Sequence, residues 1–123
     1  MRLAQAIGGL AVPTDVSRLD DLQALVDRTL ATYGGIDILV NNAAANARGD
    51  LDTLDPHGIA TVIDTNLKAP LLLTRLALPH LRATKGVVVN VASIAGHVPL
   101  PHESPYCASK WGLRGFTFAL RQE

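Results

Sequence analysis

Tyr106 and Lys110 stand four residues apart, the spacing at which side chains on consecutive helical turns share one face. A phenol has a pKa near ~10 and keeps its proton at neutral pH. A neighbouring ammonium favours the phenolate and lowers that value, as does a place in the first turn of a helix. A tyrosine tuned in this way gives a proton to a carbonyl oxygen or takes one from an alcohol. Ser93, thirteen residues earlier, can offer the same oxygen a second hydrogen bond. The Tyr/Lys pair alone also fits an ordinary solvated helix face, so the weight falls on what accompanies it.

Polar residues recur where apolar segments end. Leu10–Val12, Ile36–Val40 and Val87–Ala92 read as strands, followed by Thr14-Asp15, Asn41-Asn42 and Ser93 respectively. In an open parallel sheet, ligands bind beyond the C-terminal strand ends, and all three clusters would lie on that edge. Any one of them is an ordinary turn former; three together are more informative.

The elements between them read as helices. Arg2–Ile7 is a helix end closed by Gly8-Gly9. Ser17 is the expected N-cap of a second helix, with Asp20 and Asp21 in its first turn and Leu19, Leu22, Leu25, Val26, Leu30 and Tyr33 at helical spacing. Asp55-Pro56 opens the longest helix, running to about Thr84 and closed by Gly86, with bends expected near Pro70 and Pro79. Its second half is apolar around most of its circumference, which calls for a second packing surface besides the sheet. Pro105 starts the last helix, on which Trp111, Leu113, Phe116 and Leu120 form a stripe suited to a core or subunit contact. Alternation of helix and strand implies right-handed βαβ units: an α/β fold, a partial Rossmann-like doubly wound parallel sheet in a three-layer α/β/α arrangement.

Composition narrows the function classes. With 48% hydrophobic and 18% charged residues among 123, the chain is a folded single domain rather than a disordered one. Eleven basic and eleven acidic side chains cancel, so no net charge draws it to nucleic acid or to an acidic membrane. The longest apolar run, Ala69 to Leu73, is far short of the ~20 residues of a membrane span. Met1-Arg2 is not followed by a signal-peptide apolar region, so a soluble, cytoplasmic protein is expected. Cys107 is the sole cysteine, which excludes an internal disulfide framework. His57, His80, His97 and His102 match no usual zinc spacing, so no metal is expected. His97 and His102 lie between Ser93 and Tyr106 and are candidates for substrate contact.

Taken together, Asn41-Asn42-Ala43-Ala44, Asn66 within a long helix, Ser93 after a Val-rich strand, and Tyr106-Cys-Ala-Ser-Lys110 resemble the short-chain dehydrogenase/reductase family, over essentially the whole chain. The resemblance implies an oxidoreductase that interconverts a carbonyl and an alcohol with NAD or NADP. In that family's terms, Tyr106 is the general acid/base. Lys110 supports it and holds the nicotinamide ribose, Ser93 polarises the substrate carbonyl, and Asn66 supports a water-mediated proton relay. Asp15 and Val16 would lie against the adenine, and Asn42, Ala43 and Ala44 would line the cofactor. Asn41 would tie neighbouring strands together. The implied partner is a small carbonyl or alcohol substrate, and the implied full-length form is a homodimer or homotetramer.

Three departures from the family pattern stand out. Ala44 replaces the glycine that ends the Asn-Asn-Ala-Gly motif, adding a methyl group near the cofactor. No glycine-rich turn of the G-x-x-x-G-x-G kind occurs anywhere in the sequence, although such a turn is what lets backbone N–H groups approach a pyrophosphate. The chain also stops before the later strands and the substrate-binding loop. Residues 1–123 are therefore expected to form a single, incomplete NAD(P)-binding domain. The alternative is a truncated, non-catalytic remnant or interaction module.

Overall fold

A computed structural model describes residues 2–123. Helix α1 (Arg2–Ala6) ends at a turn before Gly9, and α2 spans Leu19–Tyr33. Strand β1 (Ile38–Asn41) follows. A continuous helical run then comprises α3 (Pro56–Ile63), a π-helical segment (Asp64–Lys68) and α4 (Ala69–Thr84). Strand β2 (Val87–Asn90), a 3-10 turn (Ile94–Gly96) and α5 (Ser104–Leu120) complete the chain.

The two strands pair in parallel, Ile38 opposite Val87 through Asn41 opposite Asn90. Leu10–Val12, expected as a third strand, is not one. A strand exists only through its ladder, and among the described residues the sheet holds only β1 and β2, so no strand pairs with this segment. The crossover from β1 to β2 through α3 and α4 is the parallel βαβ connection that the alternation implied.

Side chains alternate across the pleat, and the two faces have different fates. Leu39, Asn41, Val88 and Asn90 point toward the helices. Leu22 and Val26 of α2 and Leu73 of α4 form the buried core, with Leu39 packed against them. The apolar circumference of α4 is thus divided between the sheet and α2, the second surface that its composition required. The opposite face carries Ile38, Val40, Val87 and Val89, each between 42% and 64% exposed. The α/β class stands, with helices covering one face; the described residues do not supply the second helical layer of a three-layer sandwich.

Three local expectations change. Ser17 does not cap α2; the N-cap is Arg18, and the Ser17 N–H and hydroxyl both donate to the Asp15 carboxylate. The long helix widens into a π segment at Asp64–Lys68, where the Ala69 N–H reaches Asp64 O. Pro70 accounts for it. A proline ring crowds the carbonyl four residues back, and a wider turn relieves the clash. The left-handed residue closing α4 is Lys85 (φ 56°), not Gly86. Gly86 serves a different need, because a Cβ there would lie 2.4 Å from the Asp37 carbonyl oxygen. Gly86→Ala is therefore expected to destabilise the chain by about 2 kcal/mol or more, read as a lower urea midpoint with an unchanged slope.

Candidate active site

Residues 91–96, which leave β2, wrap around the middle of α5. Lys110 Nζ donates to the Val91 carbonyl at 2.9 Å. At the other end of the wrap, Gly96 packs so closely on α5 that a Cβ would lie 3.0 Å from the Lys110 carbonyl oxygen. Ser93 sits between these two contacts and caps the 3-10 turn, its Oγ accepting the Ala95 N–H at 3.2 Å. One turn before Lys110, the Tyr106 ring lies with its centroid 5.7 Å from the ammonium. Tyr106, Lys110 and the Ser93 segment therefore share one side of the molecule.

Lys110 is only 3% exposed, and burial holds its pKa below the usual lysine range. Between the lowered value and the ordinary one, the unfolded chain binds more protons than the folded chain, so stability rises with pH across that interval. Lys110→Met is expected to flatten this rise when unfolding free energies are measured from neutral to alkaline pH. An unchanged slope in the variant would show that the ammonium is solvated.

Asn66 is 1% exposed and lies in the π segment. Its Oδ1 accepts the Ala45 N–H at 2.7 Å, and its Nδ2 donates to the Ala45 carbonyl at 2.9 Å and to Ser109 Oγ at 3.1 Å. Ser109 in turn donates to the Tyr106 carbonyl at 2.7 Å. The Asn66 amide therefore joins the loop after Asn41-Asn42-Ala43-Ala44 to the first turn of α5, and does not reach Lys110 through its side chain. Sequence reasoning assigned Ser109 no role, although a serine three residues after the tyrosine is at the spacing that reaches back to the tyrosine carbonyl.

Val16, Asn42 and Ala43 line a cleft of about 140 Å³ beside the end of β1, closed by Leu25, Ala69 and Leu73. Asp15 lines an adjoining cleft of about 350 Å³ with Ser17, His57 and Asp64; Thr65 borders both. The Ser17 hydroxyl and N–H hold the Asp15 carboxylate below its usual range. Ala44 is exposed beyond the first cleft and does not line it. Asn41 donates to Asn90 Oδ1 at 2.8 Å and to Thr74 Oγ1 at 3.2 Å, tying β1 to β2 and α4. Of the histidines in the loop before α5, His102 pairs with Asp50 at 2.7 Å. Trp111 and Phe118 stand out from the buried Leu113 side of α5, and Arg114 lies over both rings.

The family model described as short chain dehydrogenase matches residues 2–123. The chain is 40% identical over 122 residues to the ketoacyl reductase HetN of a Nostoc species, covering 97% of this chain and 42% of that protein. It is 37% identical over 111 residues to an uncharacterised oxidoreductase of Staphylococcus saprophyticus, covering 89% and 45% respectively. Among solved structures, a metagenomic short-chain oxidoreductase in complex with NADP superposes with a TM-score of 0.88 at 39% identity, covering 98% of this chain and 58% of that one. An alcohol dehydrogenase from the archaeon Thermococcus sibiricus, complexed with 5-hydroxy-NADP, shares the fold with a TM-score of 0.89 at 23% identity, covering 98% and 53%.

These likenesses define a class, the oxidoreductases built on a Rossmann fold. The chain belongs to the short-chain dehydrogenase/reductase family. It spans rather less than half the length of the curated relatives it matches. Among the described residues, no helix is long and apolar enough to cross a membrane.

Proposed function

We propose that this chain carries the acid/base machinery of an NAD(P)-dependent oxidoreductase that interconverts a carbonyl and an alcohol, within one dinucleotide-binding domain. The observation that carries the reading is the buried Lys110 ammonium, anchored on the Val91 carbonyl and facing the Tyr106 ring.

The residues fit the two ends of a nicotinamide dinucleotide. Asp15, Val16, Asn42 and Ala43 line adjoining clefts at one end of β1, which suits the adenosine half and the stretch leading from it. Ala44 borders them. Tyr106 and Lys110 supply hydroxyl and ammonium donors for a ribose. The pyrophosphate between would need backbone N–H groups of a glycine-rich turn, which this sequence does not contain. A bound nicotinamide dinucleotide supplies the hydride.

The remaining chemistry falls to the chain's own side chains. Tyr106 gives its phenolic proton to the carbonyl oxygen during reduction and takes it back during oxidation. The Lys110 cation stabilises the phenolate left behind. Ser93 Oγ already accepts the Ala95 N–H, which leaves its own O–H free to donate to the substrate oxygen. Asn66 would serve the relay through its backbone, since Pro70 has no N–H to give the Asn66 carbonyl four residues back and that oxygen can hold a water. The Asn66 side chain meanwhile fixes the loop at Ala45.

Titration of the chain with NADH and NADPH, followed by calorimetry, tests the reading. Saturable binding, even at an affinity lowered by the missing glycine-rich turn, with oxidation of the bound cofactor when a small ketone or aldehyde is added, supports it. Absence of both would leave the fold without the activity and favour the non-catalytic remnant.

A further inference from the structure

Four polar side chains, one from each of four elements, form an unbroken file across the helical side of the sheet. Thr74 of α4 accepts from Asn41 of β1, Asn41 also donates to Asn90 of β2, and Asn90 Nδ2 donates to Thr117 Oγ1 of α5 at 2.9 Å. The direction of each bond is fixed by its neighbours. Thr117 spends its own hydroxyl proton on the Leu113 carbonyl at 2.7 Å, so it presents only a lone pair to Asn90. Asn90 Oδ1 is occupied by Asn41, so its NH₂ must face Thr117.

The position of this file relative to Lys110 is what gives it a consequence. Thr117 lies seven residues after Lys110, two helical turns along, and therefore on the same face of α5. Their partners on the strand side are consecutive residues, the Asn90 side chain and the Val91 carbonyl. Helix α5 is thus bolted to the end of β2 at two points two turns apart. One bolt alone would leave the helix free to turn or slide about it, and Lys110 has a flexible four-carbon stem that would follow. A Thr–Asn bond is directional where an apolar contact would not be, and a one-residue slip of α5 rotates its face by about 100°.

We propose that Asn90 and Thr117 are positioning residues that set the height and rotation of α5 on β2, and so place the Lys110 ammonium at the Val91 carbonyl and beside the Tyr106 ring. Neither residue touches the reacting atoms in this arrangement. The bearing on catalysis rests on the role proposed for Lys110 above; the placement itself does not.

The chain has three lysines, Lys68, Lys85 and Lys110, so lysine-selective 13C labelling gives a spectrum in which each can be titrated separately. Lys110 is buried, and its titration midpoint reports whether the ammonium keeps that position. Thr117→Val preserves shape and removes the oxygen; Thr117→Ser keeps the oxygen and loses a methyl group. Thr117→Val and Asn90→Ala are each expected to move the Lys110 midpoint at least halfway toward the ordinary lysine value, and the double variant no further than the larger single effect. Thr117→Ser is expected to hold the wild-type value. An unmoved midpoint in Thr117→Val, or equal movement in Thr117→Ser, overturns the proposal by showing that Thr117 only fills space. A second reading uses the unaltered chain: the Asn90 side-chain amide protons should exchange at least tenfold more slowly than those of exposed Asn46, and equal rates would also overturn it. None of these readings requires catalysis. A chain that fails to bind dinucleotide yet passes them defeats the functional proposal and leaves this one intact.

Discussion

Tyr106→Phe is expected to lower the rate of carbonyl reduction by roughly 10²–10⁴-fold, the range spanned by a single general acid/base. The substitution removes one oxygen and its proton and keeps the ring. That ring lies 5.7 Å from the Lys110 ammonium, and the contact does not depend on the hydroxyl. The first turn of α5 is held by the Ser109 hydroxyl on the Tyr106 carbonyl, which the variant retains. The loss should therefore appear in kcat, with KM for the ketone and the affinity for dinucleotide much less affected, because the missing group acts when the substrate oxygen takes up charge. Steady-state rates with a small ketone, together with calorimetric titration of the cofactor, measure both quantities. Turnover undiminished in the variant would remove Tyr106 from the chemistry, and another donor would have to be sought near Ser93.

The parts of this arrangement that were legible in the sequence are those whose signal is local. The apolar spacing of Leu22, Leu25, Val26 and Leu30 gives α2 within two residues at either end, because burial of that stripe against Leu73 is what makes the helix. Tyr106 and Lys110 at i and i+4, with Pro105 ahead of them, mark the start of α5 in the same way. What escaped depends on partners distant in the chain. Leu10–Val12 has strand composition but no ladder. Ser17 has the chemistry of an N-cap, yet the Asp15 carboxylate two residues away takes both of its protons. The π segment leaves no trace in hydrophobic periodicity, since one widened turn shifts the register by a single residue; Pro70 was the only hint. The Asn90–Thr117 bond spans 27 residues and joins two residue types that are individually unremarkable in a strand and a helix. Periodicity also says which side chains are apolar without saying that both faces of a sheet will be covered. A three-layer arrangement would cover both faces of its sheet, whereas Ile38, Val40, Val87 and Val89 stand exposed here.

Asn66→Ala is expected to destabilise the chain by about 3 kcal/mol, a large share of the ~5–15 kcal/mol that holds a domain together. The side chain is 1% exposed; its bond to Ser109 is buried and its two bonds to Ala45 are half-buried. Truncation leaves the Ala45 N–H and C=O without partners, each such group costing roughly 1–3 kcal/mol, and adds a small cavity beside Ser109. Thr61→Ala is the matched control: its exposed hydroxyl bonds only to the His57 carbonyl of its own helix, and its loss should stay within about 0.5 kcal/mol. Urea unfolding of the two variants gives the comparison. The consequence extends beyond stability, because Ala45 directly follows Asn42, Ala43 and Ala44, and the amide bridge is what fixes that loop to the π segment and, through Ser109, to α5. Amide exchange at Ala45 should rise by at least the factor that corresponds to the lost free energy, about 10²-fold. Stability within about 1 kcal/mol of wild type, with Ala45 still protected, would mean that the loop is held by its own backbone. Asn66 would then be a buried residue satisfying the π turn and nothing more.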